Sequence, residues 1–269
     1  MTPALSIVIV NFNGGPHLEN CLASLARHAP AVPHEIVVVD NASTDGSLEA
    51  ARRAAGVRVI SLTRNIGFSA ANNIGIRGTT GSLVLLLNND TVVTAGALDA
   101  LVARLEADPR AAVAGPRLVD GNGRVELSFG RMMSPLAELR QKIVMFLHER
   151  GSSSAVERGT RNERYVDWVS GACLLVRRDV ADVVGLLDER FFLYTEDVDF
   201  CASVRARGWK ILFTPAAEII HLRGRSRATV PEAANEAYRR SQLAFYAKHH
   251  PRWFPFLRRY LQTRGKLPG

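Results

Sequence analysis

The chain has 269 residues, 47% of them apolar and 22% charged, with a formal net charge of +8 at pH 7. That is enough apolar material for one large core plus an extension, and it excludes a disordered, collagen-like or disulfide-scaffold protein. The charge is uneven: residues 222–269 hold 11 Lys/Arg against 2 Asp/Glu, residues 1–221 hold 23 against 24, and no run reaches the ~18 uncharged apolar residues of a membrane span.

Met1-Thr2-Pro3-Ala4 leads straight into a strand, with no basic segment or cleavage pattern, so a cytoplasmic location is expected. Leu5 to Val10 reads as the first strand, ending at Asn11-Phe12-Asn13-Gly14-Gly15. Pro16 can open the next helix, to about His28, with apolar residues at Leu18, Cys21, Leu22 and Leu25. Glu35 to Asp40 is a second buried strand. Asn41 to Ser47 is a turn into a helix that ends near Ala55, Val57 to Ile60 a third strand, and Ser69 to Arg77 a further helix.

Leu83-Val84-Leu85-Leu86-Leu87 is too uniformly apolar for a surface strand. It reads as a central strand buried on both faces, as in a parallel sheet, and it stops at Asn88-Asn89-Asp90. Strand and helix alternate up to this point, the pattern of a doubly wound sheet, in which ligands bind beyond the carboxyl ends of the strands. Asp40 and Asp90 then share one rim, although Asn and Asp at a strand end also suit a plain turn or a helix cap. Neither G-x-G-x-x-G nor G-x-x-x-x-G-K-[ST] follows the first strand, so a nucleotide would be bound by other means.

Thr94 to Ala107 is predicted helical, and Ala111 to Ala114 is a fifth short strand. Leu118 to Leu127 forms a hairpin over a Gly-containing turn. An amphipathic helix over 134–148 is marked by Leu136, Leu139, Ile143, Val144 and Leu147. Gly151 to Asn162 has the composition of a mobile surface loop. Tyr165 to Val176 reads as two short strands around a glycine. Thr195 can cap a helix to about Arg207, with Glu196, Asp197 and Asp199 in its first turn. The helix dipole favours acids there by ~0.3–1 kcal/mol each. Three of them directly after Phe191-Phe192-Leu193-Tyr194 exceed what capping requires, and a carboxylate beside aromatics suits a general base on a sugar hydroxyl. Trp209 to Phe213 and Glu218 to His221 are two more short strands. A lone His is most often a satisfied structural residue, but a His, an Asp and an amide oxygen make a mixed N/O site suited to Mn²⁺ or Mg²⁺. Cys21, Cys173 and Cys201 lack metal spacing and sit in apolar contexts, as buried free thiols do.

Taken together, Ser6–Asn13, Val38–Ser47, Asn65–Gly75, Leu87–Thr91, Ser170–Ala172, Thr195–Asp199 and His221 resemble glycosyltransferase family 2, the inverting enzymes of GT-A fold. The closest likeness is to the rhamnosyltransferase-like branch that builds bacterial surface glycans. Each stretch is short, but they come in the family's order across residues 5–226 and are specific as a set. The resemblance implies a Rossmann-like, mostly parallel central sheet flanked by helices, a small antiparallel acceptor-side portion and a helical C-terminal tail. It divides the chain into a GT-A domain, 1–228, with a nucleotide-binding half, 1–115, and an acceptor half, 116–228, followed by a basic helical extension, 229–269.

The resemblance also implies roles. Phe12 and Asp40 would hold the nucleoside, Arg64 and Asn65 would line the base pocket, and Asn89 would lie with them on the donor side. Asn88 and Asp90 stand where the family has Asp-x-Asp and would hold Mg²⁺ or Mn²⁺ on the donor diphosphate, with His221 as a further ligand. Asp197 would be the general base and Glu196 would help position the acceptor, with Trp168 and Gly171 along the acceptor side. Arg223 or Arg225 could close over the diphosphate, or serve as solvated tail arginines. Asn88 in place of the first Asp removes one negative charge, which predicts modest metal affinity without the diphosphate. The implied activity is metal-dependent inverting transfer from a nucleotide-diphospho-sugar, with dTDP-rhamnose the expected donor, to a hydroxyl of a surface-glycan or lipid-linked acceptor. UDP- or GDP-sugars, or a non-catalytic nucleotide-binding module with a surface-docking tail, are the alternatives.

Tyr246 to Tyr260 mixes bases with aromatics. It suits peripheral contact with an anionic membrane, on the inner face of the plasma membrane, and equally a terminal helix packed on the domain. Nucleic acid is not an expected partner: the pI of ≈ 9.9 comes from the tail, and residues 1–221 hold no basic track.

Overall fold

The computed structural model describes residues 3–135, 137–138, 154–222 and 231–267. Four apolar runs, β1 (Leu5–Asn11), β2 (His34–Asp40), β3 (Val57–Ser61) and β4 (Leu83–Asn88), lie parallel in the order β3-β2-β1-β4. Their crossovers carry α1 (Gly15–Arg27), α2 (Ser47–Arg53) and α3 (Phe68–Arg77). Pro16 opens α1, whose buried residues include Leu18, Cys21, Leu22 and Leu25 at the expected helical spacing. In β4, Leu83, Leu85 and Leu87 enter one core cluster while Val84 and Leu86 enter another. Both faces of this strand are therefore covered, which is why it carries no polar alternation.

Beyond β4 the sheet becomes mixed. β5 (Thr91–Val93), α4 (Ala97–Ala107) and β6 (Ala111–Val119) precede β7 (Phe129–Gly130), which pairs with β9 (Trp168–Val169) in a separate small ladder. After α5 (Ser154–Gly159) and β8 (Arg164–Val166), β10 (Cys173–Arg177) inserts antiparallel between β4 and β6. Then come α6 (Arg178–Val184), α7 (Glu196–Ala206) and β11 (Lys210–His221), which runs parallel to β6. Among the described residues the main sheet has nine strands, in the order β3-β2-β1-β4-β10-β6-β11-β5, with β8 on β11. Because two antiparallel steps restore direction, β6 and β11 point the same way as β4. Their carboxyl ends reach the same rim, and so does the amino end of β10.

Several local expectations are corrected. The strands expected over 209–213 and 218–221 are one strand, β11, with an irregularity between Thr214 and Glu218. β6 runs on through Gly115 and Pro116 to Val119, longer than the four residues expected. Gly115 is needed there because a Cβ would come within 2.5 Å of Val169. Residues 164–177 hold three strands rather than two. The expected hairpin at 118–127 is a turn closed by one Val119–Val125 bridge, with Asp120 Oδ1 accepting the amides of Asn122 and Arg124. Ser154–Gly159 is helical, not loop. Most of the helix expected over 134–148 lies outside the described residues, as do Arg223 and Arg225.

The C-terminal helices are α8 (Pro231–His249) and α9 (Phe254–Thr263), and α8 is pinned to α7. Asp199, 1% exposed, takes Lys248 Nζ at 2.8 Å and His249 Nε2 at 2.6 Å. The third acid of the α7 turn is therefore a tie between helices. Lys248 also reaches Asp188, whose carboxyl is held far below the usual range by Arg190 and then by Lys248. The three cysteines are buried free thiols, and burial pushes Cys21 and Cys201 up to about 12. Among the described residues no helix is long and apolar enough to cross a membrane.

Candidate active site

The sheet register sets the site. Asn11 pairs with Asp40, and Val10 with Asn88, so the ends of β1, β2 and β4 stand level beside the crevice where the chain reverses its winding. Asn11 is fully buried. Its Nδ2 lies 2.8 Å from Asp40 Oδ1 and 2.8 Å from Ser47 Oγ, and its Oδ1 accepts from Asn89 Nδ2 at 2.9 Å. Gly14 allows this: a Cβ there would fall 2.3 Å from Asn11 Oδ1 and 2.5 Å from Asn89 Nδ2. Asp40 is itself 0% exposed, its second oxygen taken by the Ser43 amide. The structure thus places it beneath the Asn41–Ser47 turn, as the anchor of that turn rather than an open acceptor. Phe12 is 48% exposed above the same rim and Arg64 is exposed. Asn65 Oδ1 accepts from Asn41 Nδ2 and the Gly67 amide, both at 2.9 Å, which fixes the turn into α3.

One strand over, the buried Asn88 Oδ1 has no hydrogen-bond partner among the described residues. Orphaned buried acceptors are rare and mark a group awaiting a ligand or an ion. Two residues on, Asp90 Oδ1 lies 3.3 Å from His221 Nε2, because β11 pairs with β5 in the register His221 to Thr91. The other imidazole nitrogen, Nδ1, lies 3.1 Å from Glu126 Oε2, in the turn after β6. Burial works against a charged His221, but the hydrogen bonds and charges of Asp90 and Glu126 outweigh it and push the imidazole up to about 9. The imidazole stands between the two carboxylates. Accordingly, among the described residues, no three His, Cys, Asp or Glu side chains form a ready cation cage. An amide oxygen, one carboxylate and one imidazole are nonetheless a donor set whose chemistry suits Mg²⁺ or Mn²⁺.

The acid pair approaches from α7. Tyr194 and Thr195 enter it with φ of 68° and 72°, left-handed values that non-glycine residues adopt only where the surroundings enforce them. Thr195 occupies the N-cap position but makes no side-chain capping bond, contrary to the capping role expected. Asp197 Oδ2 accepts the Gly171 amide at 2.9 Å and Oδ1 accepts the Val198 amide at 2.8 Å. Gly171 immediately precedes Ala172, whose carbonyl accepts the Asn88 amide at 3.0 Å, so the acid pair and the Asn88 group share one backbone junction. Burial raises both acids, and the two amides oppose the rise at Asp197. Glu196 Oε2 is buried and without a partner among the described residues, and the charge of Asp197 beside it raises Glu196 further. Both carboxyls are therefore held above the ordinary range, Glu196 the further of the two. Trp168, 9% exposed, packs on Gly130 and donates its indole N–H to the Arg131 carbonyl, which makes it a support beneath the site.

Strand register brings Asp40, Asn88, Asn89, Asp90 and His221 to one rim, and the Gly171–Ala172 junction joins Asp197 to Asn88 there. Three contributors were missed from sequence. Asn11 and Gly14 end β1 as Asp40 ends β2, and that parallel could have flagged them. Glu126 had no local signal: its contact with His221 spans 95 residues.

A sequence model of the family described as Glycosyl transferase family 2 matches residues 6–183. The chain is 34% identical, across 94% of its length and 87% of the other's, to the N-acetylglucosaminyl-diphospho-decaprenol L-rhamnosyltransferase of Mycobacterium tuberculosis. It is 27% identical, across 82% of its length and 68% of the other's, to the low-salt glycan biosynthesis hexosyltransferase Agl10 of Haloferax volcanii. Among solved structures, it resembles the mannosyltransferase PcManGT from Pyrobaculum calidifontis in complex with GDP-Man and Mn²⁺, with a TM-score of 0.64 at 18% identity over 96% of this chain and 68% of that one. It also resembles GalNAc-T7 with UDP, GalNAc and Mn²⁺, with a TM-score of 0.64 at 19% identity over 94% of this chain and 50% of that one.

Proposed function

The chain belongs to glycosyl transferase family 2, and on that premise we propose that it moves a sugar, with inversion, from a nucleotide-diphospho-sugar to a hydroxyl of a lipid-linked glycan. dTDP-rhamnose is the donor this reading favours, in keeping with the L-rhamnosyltransferase it resembles. The observation that carries the reading is the meeting at one sheet rim of the orphaned Asn88 oxygen, the Asp90–His221 pair and the amide-held Asp197.

On this reading Phe12 stacks on the base, and Arg64, Asn65 and Asn89 flank the nucleotide. Asp40, being sealed, acts through the turn it anchors. Asn88, Asp90 and His221 would hold the divalent cation, Mg²⁺ or Mn²⁺, which when bound would supply counter-charge to the leaving diphosphate. Asp197 takes the proton of the acceptor hydroxyl as that oxygen attacks the anomeric carbon from the face opposite the diphosphate. Glu196, protonated, donates a hydrogen bond to the acceptor. Gly171 keeps the Asp197 carboxylate aimed, and Trp168 supports that segment from the core.

The test pairs thermal shift across dTDP-, UDP- and GDP-sugars, with and without Mn²⁺, with transfer to a polyprenyl-diphospho-N-acetylglucosamine acceptor. Transfer from dTDP-rhamnose supports the reading. Donor binding without transfer or hydrolysis against a panel of acceptors would favour the non-catalytic module.

Glu126 has a role in this scheme. A carboxylate on Nδ1 keeps the proton on that nitrogen when a cation displaces the one on Nε2, and losing such a partner costs about 10–100-fold in metal affinity. Glu126→Leu is expected to weaken Mn²⁺ binding by about that factor, read by electron paramagnetic resonance with dTDP present. Unchanged Mn²⁺ affinity in a normally folded variant removes Glu126 from this role.

A further inference from the structure

Helix α9 presents two faces to different surroundings. Phe254 and Leu257 pack on the core cluster that includes Met133, Trp168 and Val198, and Leu261 is 0% exposed. On the adjoining face Trp253, Phe256 and Tyr260 recur at helical spacing and are 52%, 69% and 52% exposed. Trp253 and Phe256 lie against each other with ring centroids 5.8 Å apart, and the Arg264 guanidinium sits over Tyr260. The helix and its flanks expose Arg252, Arg258, Arg259, Arg264 and Lys266, with no acid between residues 251 and 267. Three aromatics grouped in water on one face, when the helix already has a buried face, mark a surface built for contact.

We propose that this face of α9 seats in the headgroup region of an anionic bilayer. Amphipathic helices with aromatics on one side and bases around them lie in that interface, where each aromatic ring finds both an apolar body and a wet edge, and the bases meet lipid phosphates. The charge division agrees: residues 222–269 carry a balance of +9, from 11 bases and 2 acids, while residues 1–221 carry −1, from 23 and 24. The inner face of α9, through Phe254 and Leu257, rests on the core, so the aromatic face is held outward by the fold. The proposal stands on α9 and its charge, independently of the transfer reaction.

The experiment is flotation of the full chain with vesicles of phosphatidylcholine alone and with about 30% phosphatidylglycerol. It compares the wild type with a Trp253→Ser/Phe256→Ser/Tyr260→Ser variant, whose altered residues are all exposed. The wild type is expected to float with the anionic vesicles and not with the neutral ones, and the variant to partition about 10-fold less or lower, with an unchanged melting temperature. Turnover of the variant with a soluble acceptor is expected to stay at the wild-type level, which separates failure of docking from failure of the transferase reading. Equal flotation of both proteins, or no flotation of the wild type at low salt, overturns the proposal. So does lipid-free dimerisation lost in the variant, which makes a second copy the occupant, or single-stranded oligonucleotide binding lost in the variant, which makes nucleic acid the occupant.

Discussion

Asp197→Asn is expected to reduce kcat by about 10³-fold while leaving donor affinity within a few-fold of wild type, the size of effect that a positioned general base contributes. The amide that replaces the carboxylate has the same shape, and its oxygen can keep the Gly171 or the Val198 hydrogen bond, so the segment stays in place. What is lost is the ability to accept a proton. Glu196→Gln is the control: burial and the neighbouring Asp197 raise the Glu196 carboxyl, and a neutral side chain of the same shape can still donate to the acceptor, so it is expected to cost no more than about 10-fold. Burial raises the Asp197 carboxyl above its ordinary value, so the acid limb of the kcat–pH profile is expected above the usual carboxylate range. Activity falls as pH drops through that limb, because the base is then protonated. Near-normal turnover in Asp197→Asn would remove it from the base role.

The second large effect is expected at Asp90. With Asn88 neutral, Asp90 is the one full negative charge among the three proposed cation ligands, and a unit charge at ~4 Å from another is worth about 4 kcal/mol at an effective dielectric of 20, more against a dication. Asp90→Asn should therefore abolish Mn²⁺ binding measured with dTDP present and lower turnover by about 10³-fold. EDTA should stop the wild-type enzyme, with recovery on adding Mn²⁺ or Mg²⁺. Asn88→Asp runs the argument in reverse: it restores the missing charge at the orphaned oxygen and is expected to tighten Mn²⁺ binding in the absence of nucleotide. Full activity after exhaustive chelation would sink the Asn88, Asp90 and His221 assignment.

Much of this arrangement was legible before any coordinates. Strand and helix periods place Asn11, Asp40 and Asn88 at strand ends, and parallel strands align those ends without further information. The acids of the Glu196–Asp199 turn were also visible, but not their division of labour. Asp199 is a tie to Lys248 and His249, because α8 folds back on α7, and nothing local to either helix reveals that. Asp40 looked like an open acceptor; Asn11 and Ser43 close over it. Trp168 looked like a wall of the acceptor side and is turned into the core.

The amino-acid order by itself determined the elements up to residue 90, the rim they share and the family, because hydrophobic period, turn chemistry and short motifs are local properties. Tertiary structure alone decided that β10 runs antiparallel between β4 and β6, that His221 meets Asp90 and Glu126, and that α9 leaves three aromatics in water. These depend on register and packing between segments tens of residues apart, where a side chain's surroundings come from other elements and not from its neighbours in the chain.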